Sequence, residues 1–552
     1  MAKPATLVLG ALCAFALHLG GVAGSPLSRR AAPTVTLDDA TVTGVSAGSV
    51  SKFLGIPFAQ PPTGQLRFQL PQPIPAYNAS FSATAFGPSC PQQAISLPIP
   101  PGLVAETVDY LTNTIYQVVT PSSEDCLTLN VVAPADATPE SALPVVVWIF
   151  GGGFELGGTS TYDGGVIVNR AIELDVPAVY VSMNYRVSAL GFLASQEVKD
   201  AGVGNLGLQD QREALRWVQK YISAFGGDPT KVTIWGESAG AISVALQMVT
   251  NGGDPEGLFR AAFMESGSPI PVGDITHGQK YYDAIVEQTG CAAAADTLEC
   301  LRGVPYDTLM DAVNNSPFIF SYQSLILAWL PRVDGVFLAE DPQYLVEQGS
   351  VADIPFISGD CDDEGTLFSL STLNITTTAQ LAEYIQTIWL PAAPADTVTT
   401  LLELYPEDIT QGSPFDTGIL NALTPQFKRI AAFQGDAVFQ APRRFFLQQR
   451  SGKQNLWSFL SKRLKAVPVL GSFHGSDILN VYGPGDMTDY LVRFVSNLEP
   501  NGDTGISWPQ YTTEAPNMLT FLDGLIPLEV GQDTYRAEAM AYITNVTLTY
   551  PV

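Results

Sequence analysis

Ser238 lies between two glycines in Gly236-Glu237-Ser238-Ala239-Gly240, a G-x-S-x-G pentapeptide. The β-branched run Val232-Thr233-Ile234 and Trp235 precede it, and a small, apolar stretch, 239–248, follows. Strand, tight turn, helix is the context in which such a serine is lifted out as a nucleophile. Side chains at Gly236 or Gly240 would collide with the flanking strand and helix. A serine hydroxyl is a weak nucleophile at neutral pH and needs a base within hydrogen-bond reach. The chain has three histidines, His18, His277 and His474. His18 falls in an N-terminal apolar segment that is removed. His277, in the polar run D-I-T-H-G-Q-K, reads as a surface residue at a helix start. That leaves His474, in G-S-F-H-G-S-D after the strand expected near 456–460.

The base needs an acceptor to fix its tautomer and to stabilise the imidazolium as it forms. The stretch G-D-C-D-D-E-G-T at 359–366 follows an expected strand and offers Asp360, Asp362, Asp363 and Glu364. Physical chemistry alone does not choose among these neighbouring carboxylates, and it expects most of them to be solvated or capping a helix. An anionic tetrahedral intermediate also requires preorganised donors. F-G-G-G-F at 150–154 ends a buried strand, and its glycines let backbone N–H groups approach a ligand, so Gly152 and Gly153 together with Ala239 form the expected oxyanion hole. This is no dinucleotide fingerprint, because Leu156 replaces the third glycine.

Positioning these groups calls for an α/β fold. Continuous apolar runs at 144–150 and 178–184 read as strands buried on both faces, and 261–266 and 354–359 read as further strands. The stretch 208–222 reads as an amphipathic helix. Strands alternating with helices predict a large, mostly parallel central sheet covered on both faces. Regions 273–353 and 373–444 carry helical patterns and read as insertions on that sheet. Residues 34–58 alternate in a hairpin-like way, and the proline-rich 53–68 reads as surface chain. Between Cys90 and Cys126, Val104, Val108, Leu111, Ile115 and Val118 form one helical stripe, flanked by Pro100, Pro101 and Pro121. It reads as a flap with an apolar underside.

The net charge is −27, from 54 acidic and 27 basic residues, which disfavours nucleic acid or an anionic membrane as partner. Lys3, the apolar run 6–19 and the small residues 20–25 read as a secretory signal of residues 1–24, and Arg29-Arg30 offers a processing site that extends the removed segment to 30. Residues 31–552 then form a single secreted catalytic domain with no transmembrane anchor. Once Cys13 is lost, five cysteines remain, which predicts two disulfides and a free thiol. No C-x-x-C spacing or His/Cys cluster occurs, so neither a metal nor another cofactor is expected. Asn78, Asn314, Asn374 and Asn545 are glycosylation acceptors.

These residues resemble the type-B carboxylesterase/lipase family of α/β-hydrolases, in particular its Candida rugosa-like fungal lipase and sterol esterase group. The resemblance rests on F-L-G-I-P-F-A-Q-P-P (53–62), S-E-D-C-L-T-L-N (123–130), G-G-G-F-E-L-G (151–157), S-M-N-Y-R-V (182–187), G-N-L-G-L-Q-D-Q-R (204–212), G-E-S-A-G, D-D-E-G-T and F-H-G-S-D-I. It implies that Glu364 is the acid of a Ser238–Glu364–His474 triad. It implies disulfides Cys90–Cys126 and Cys291–Cys300, with 90–126 as the lid, and ion pairs Arg67–Glu124 and Arg186–Asp210. It also implies that Phe154, Leu367 and Phe368 line an acyl pocket. Cys361, three residues before the acid, departs from the family pattern, and so does Leu367, where relatives often carry an aromatic residue.

The function so expected is a secreted serine ester hydrolase acting through an acyl-enzyme on triacylglycerols, p-nitrophenyl or sterol esters. Its apolar lid would favour a lipid–water interface, as monomer or homodimer. The alternatives are an esterase of phenolic (feruloyl-type) or carotenoid esters, and a non-catalytic cholinesterase-like binding protein, which would typically lack a triad member.

Overall fold

The computed structural model describes residues 31–100, 103, 107, 121–483 and 485–551. The signal segment and the stripe Val104–Val118 of the lid lie outside the described residues. Fourteen strands occur among the described residues: β1 (Thr34–Leu37), β2 (Ala40–Thr43), β3 (Val45–Ala47), β4 (Val50–Pro57), β5 (Phe81–Ser82), β6 (Thr128–Pro134), β7 (Leu143–Ile149), β8 (Val179–Met183), β9 (Gly227–Glu237), β10 (Ala261–Glu265), β11 (Phe356–Cys361), β12 (Leu456–Lys462), β13 (Asn517–Leu522) and β14 (Leu528–Gln532). Eleven form one sheet in the order β14-β13-β12-β11-β10-β9-β7-β8-β6-β4-β3, and β1, β2 and β5 make a small second sheet. From β13 to β8 the neighbours are parallel; β14 at one edge and β6, β4 and β3 at the other run antiparallel.

Residue types explain the centre of this sheet. Val145 to Ile149, Val179 to Met183 and Val232 to Trp235 are essentially inaccessible, as expected of strands covered on both faces. Trp148 and Trp235, aligned across β7 and β9, have ring centroids 4.2 Å apart. The helix Ala239–Val249 is buried at every position and packs on β9 and β10, which its small residues permit. The helix Leu206–Tyr221 lies within a residue or two of its expected bounds. Helices without strands fill 273–353 and most of 373–444 among the described residues.

One expectation fails here. Residues 53–57 do not run over the surface: they belong to β4, hydrogen-bonded to β3 and β6, with Phe53 and Ile56 buried. A register shift between Phe53 and Ile56 spaces these two apolar residues so that both are buried, and Pro57 ends the strand. The strands β6, β13 and β14 carried no strand assignment in the sequence.

Cys90–Cys126 and Cys291–Cys300 are disulfide-bonded, and Cys361 is a buried free thiol. The ion pairs Arg67–Glu124 (2.6 Å) and Arg186–Asp210 (2.7 Å) are both present, the second nearly inaccessible. Asn78, Asn314, Asn374 and Asn545 are all exposed. No helix of the described residues is long and apolar enough to cross a membrane.

Candidate active site

The parallel strands β9 to β12 end at one edge of the sheet, and the site is built from the turns that leave them. After Glu237 the chain turns through Ser238 at φ 56°, ψ −127°, a strained conformation worth roughly 1–3 kcal/mol that clusters at functional sites. The turn is held by the Ser238 N–H, which donates to the Glu265 carbonyl at 2.9 Å. A Cβ on Gly240 would lie 2.0 Å from the Ile149 carbonyl oxygen, so only glycine lets the helix start this close to β7.

The loop after β12 brings His474 over this turn. Its Nε2 is 2.7 Å from Ser238 Oγ, and its Nδ1 is 2.5 Å from Glu364 Oε2. The imidazole is fixed between Phe439 and Phe368, with centroids at 4.5 and 5.1 Å. The other carboxylates of 360–363 are engaged elsewhere. Asp360 pairs with Arg443 at 2.7 Å, and Asp362 and Asp363 both pair with Lys465. All of them are buried, contrary to the expectation of solvated groups, because guanidinium, ammonium and backbone N–H partners replace water. His277 is exposed in the turn Ile275–Gly278 and does not line the Ser238 cleft.

The charge states follow from burial. Burial pulls the His474 imidazole down to about 4, with Asp477 and Asp360 acting against it. Burial pushes the Glu364 carboxyl up to about 8, opposed by hydrogen bonds from the Ser266 hydroxyl and the Cys361 N–H, the latter at 2.6 Å. The lowered His474 value leaves the imidazole uncharged at rest, and its Nε2 lone pair faces the Ser238 hydroxyl when Nδ1–H donates to the ionised Glu364 carboxylate. Such a chain can transfer the serine proton to His474 and return it to a leaving group.

The family model of the carboxylesterase family matches residues 31–538. The chain belongs to the carboxylesterase family. It is 45% identical to Lipase 2 of Diutina rugosa, over 92% of this chain and 95% of that protein. It is 46% identical to Secreted lipase 1 of Botryotinia fuckeliana, over 93% of each. Among solved structures, EstA of Aspergillus niger superposes with a TM-score of 0.80 at 29% identity, covering 95% of this chain and all of that one. The α/β-hydrolase fold and carboxylic ester hydrolysis go with that membership.

In this carboxylesterase the loop after β7 faces Ser238. Gly151, Gly152, Gly153, Ser238, Leu367, Phe368 and His474 line one cleft. Gly152 has φ +112°, and a Cβ there would sit 2.3 Å from the Leu156 carbonyl oxygen. Ala239 is the first residue of the helix, where backbone N–H groups lack intrahelical acceptors. Phe154 is a correction: it is absent from the cleft lining, because the chain turns at φ +59° and seats its ring against Phe192, 5.0 Å away in the core.

Other residues at the site carried no signal of their own. Ile319 and Phe320 line the cleft from an insertion loop. Glu155 anchors that loop by accepting the Ile319 N–H at 2.8 Å, and burial pushes its carboxyl up to about 8. Glu237 is buried with Oε1 3.6 Å from His474 Nε2, its carboxyl raised well above the usual range by burial and by Asp477, Glu265 and Glu364. Asp477, pushed up to about 7 by burial and Glu364, completes this buried acidic floor. Only the adjacency of Glu237 to Ser238 and of Asp477 to His474 hinted at either.

Proposed function

We propose that this carboxylesterase is a secreted serine hydrolase that cleaves esters with a long or bulky apolar group through an acyl-enzyme. The observation that carries this reading is the unbroken chain Ser238 Oγ–His474–Glu364, at 2.7 and 2.5 Å. Ser238 attacks the ester carbonyl while His474 Nε2 takes its proton. Glu364 holds the tautomer with the proton on Nδ1 and stabilises the imidazolium. The N–H groups of Gly152, Gly153 and Ala239 receive the oxyanion. The imidazolium then protonates the departing alcohol, and a water activated by the same Nε2 releases the acid.

Two observations support an apolar substrate. Leu367, Phe368, Ile319 and Phe320 give the cleft an apolar wall. A second, apolar cavity is lined by Leu325, Trp389, Phe433, Val438 and Ile543, and Leu325 follows Phe320 closely in the same insertion. Secretion is supported by the name of the Botryotinia relative and by four exposed glycosylation acceptors.

A panel of p-nitrophenyl esters of rising chain length, trioleoylglycerol, a cholesteryl ester and a feruloyl ester tests the substrate class. The reading expects kcat/KM to rise from acetate to long-chain esters. A feruloyl ester turned over far better than any of them would replace it with a phenolic esterase.

A further inference from the structure

Four of the most exposed large apolar side chains occur as two adjacent pairs. Leu525 and Ile526 are 102% and 73% exposed at the tip of the β13–β14 hairpin, and Ile419 and Leu420 are 69% and 66% exposed on a loop beside the helical insertion. Isolated exposed leucines need no explanation, but paired apolar tips held rigidly at one end of a molecule mark a contact surface. Both tips are held. The Leu522 N–H donates to the Pro527 carbonyl at 2.8 Å across the hairpin. Asp523 accepts the N–H groups of Leu464 and Lys465 at 3.1 Å each. On the other tip, Lys428 Nζ donates to the Gly418 carbonyl at 2.8 Å.

The two tips share an anchor next to the catalytic residues. Asp363, fully buried, accepts the Phe415 N–H (2.8 Å) and the Ser413 hydroxyl (3.1 Å) from the Ile419 loop. It also accepts Lys465 Nζ (2.7 Å), from the segment that tethers the hairpin, and the Ser472 N–H (2.8 Å), two residues before His474. Because β12 and β13 run parallel to β9, the hairpin tip lies at the sheet edge from which Ser238 emerges. Between the tips, the Val469 N–H donates to Asn421 at 2.9 Å, and Thr107 of the lid donates to the Pro468 carbonyl at 3.1 Å. Lid, Ile419 loop and hairpin therefore meet on one segment, 464–469.

Charge selects the occupant. The chain carries −27 overall, which repels an anionic surface. At the hairpin base, Lys462, Arg463 and Lys465 are paired with Asp416, Asp486 and Asp363, so the rim presents no unbalanced cation for lipid phosphates. We propose that Leu525, Ile526, Ile419 and Leu420 form a seating rim, separate from the lid, by which the enzyme rests on an electrically neutral lipid surface with Ser238 facing it. The proposal rests on the ester-hydrolase reading above. Rim side chains penetrate the interface, and affinity follows the apolar area they bury.

The test uses the full secreted chain with Leu525→Ser/Ile526→Ser, Ile419→Ser/Leu420→Ser, and all four together. Flotation with phosphatidylcholine vesicles reads binding, and turnover of dissolved p-nitrophenyl butyrate reads the catalytic site. The expected result is a fall in vesicle partitioning of roughly tenfold or more in the fourfold variant, part of that in each pair, and partial recovery in Leu525→Phe. Turnover of the dissolved ester stays unchanged. A fourfold variant that floats like the parent overturns the proposal. So does a parent dimer that the fourfold variant converts to monomers with vesicle binding intact, since the rim would then be a self-association surface. Failure of the parent to hydrolyse the dissolved ester would sink the hydrolase reading alone, because flotation needs no catalysis.

Discussion

Glu237 Oε1 lies 3.6 Å from His474 Nε2, the nitrogen that faces the Ser238 hydroxyl. Burial and three neighbouring carboxylates raise the Glu237 carboxyl well above its ordinary range, which favours its neutral form. A permanent carboxylate there would stabilise the imidazolium, making Nε2 a stronger base but a weaker acid toward the leaving alcohol. The account therefore predicts that Glu237→Gln, which keeps shape and neutrality, lowers kcat/KM by less than roughly tenfold near pH 6. A loss of several orders of magnitude would mean that the charged form takes part.

The proposed oxyanion loop makes a sharper demand. In Gly152→Ala the new Cβ meets the Leu156 carbonyl oxygen at 2.3 Å, at a φ of +112°. The loop has to shift, and its N–H groups lose their aim. The expected result is a fall in kcat of roughly 10²–10³-fold with a smaller change in KM. Equal kcat in a folded variant would remove Gly152 from the oxyanion role.

Behind the site, Arg443 joins Asp360 at 2.7 Å and Asp533 at 2.9 Å with every partner inaccessible. Removing one member of such a network leaves uncompensated buried charge and costs roughly 3–5 kcal/mol. Arg443→Met should lower Tm by several degrees and expose the chain to proteolysis. A Tm equal to that of the parent would show that the two carboxyls take up protons and need no guanidinium.

Burial also sets a pH dependence of stability. Glu155 and Asp341 are pushed up to about 8 and about 6 by burial, and Glu237 and Glu265 well above their ordinary range. In the unfolded chain such groups titrate near 4. Between these values the folded state holds more protons than the unfolded one, so stability is greatest in acid and declines as pH rises from about 4 to about 8. His474, pulled down to about 4, acts in the opposite sense between about 4 and 6.5, but one group does not outweigh four. Calorimetry should give a higher Tm near pH 5 than near pH 8, and the reverse order would contradict these burial effects.

How far these features were legible varies residue by residue. Ser238 and His474 could be read together: the glycine-flanked serine alone is a common pattern, but only one histidine was placed to serve it and a triple glycine offered an anion site. Glu364 could not be read from physics: four acids share 360–364, and what separates them is Arg443 and Lys465, which arrive from about 80 and 100 residues away along the chain. The resemblance to relatives singled out Glu364 where residue chemistry could not. Phe154 was misplaced because the positive φ of its own turn, invisible in composition, directs its ring inward. Ile319 and Phe320 carry no chemical signature, and only the anchoring of their loop by Glu155 brings them to the cleft. Residues 53–57 of β4 were placed on the surface because Pro57 and the prolines after it dominated the pattern, while the register shift that keeps Phe53 and Ile56 buried has no sequence marker.

The central claim is that Ser238 becomes acylated. The most direct measurement is ester turnover by Ser238→Ala, with intact-protein mass spectrometry of both proteins after an organophosphonate. Because the alanine removes only the hydroxyl, Tm should match the parent while kcat falls by roughly 10⁴-fold or more. The parent should gain one phosphonyl group on Ser238 and the variant none. Near-parental turnover by a folded Ser238→Ala protein, or equal labelling of both, would contradict the account.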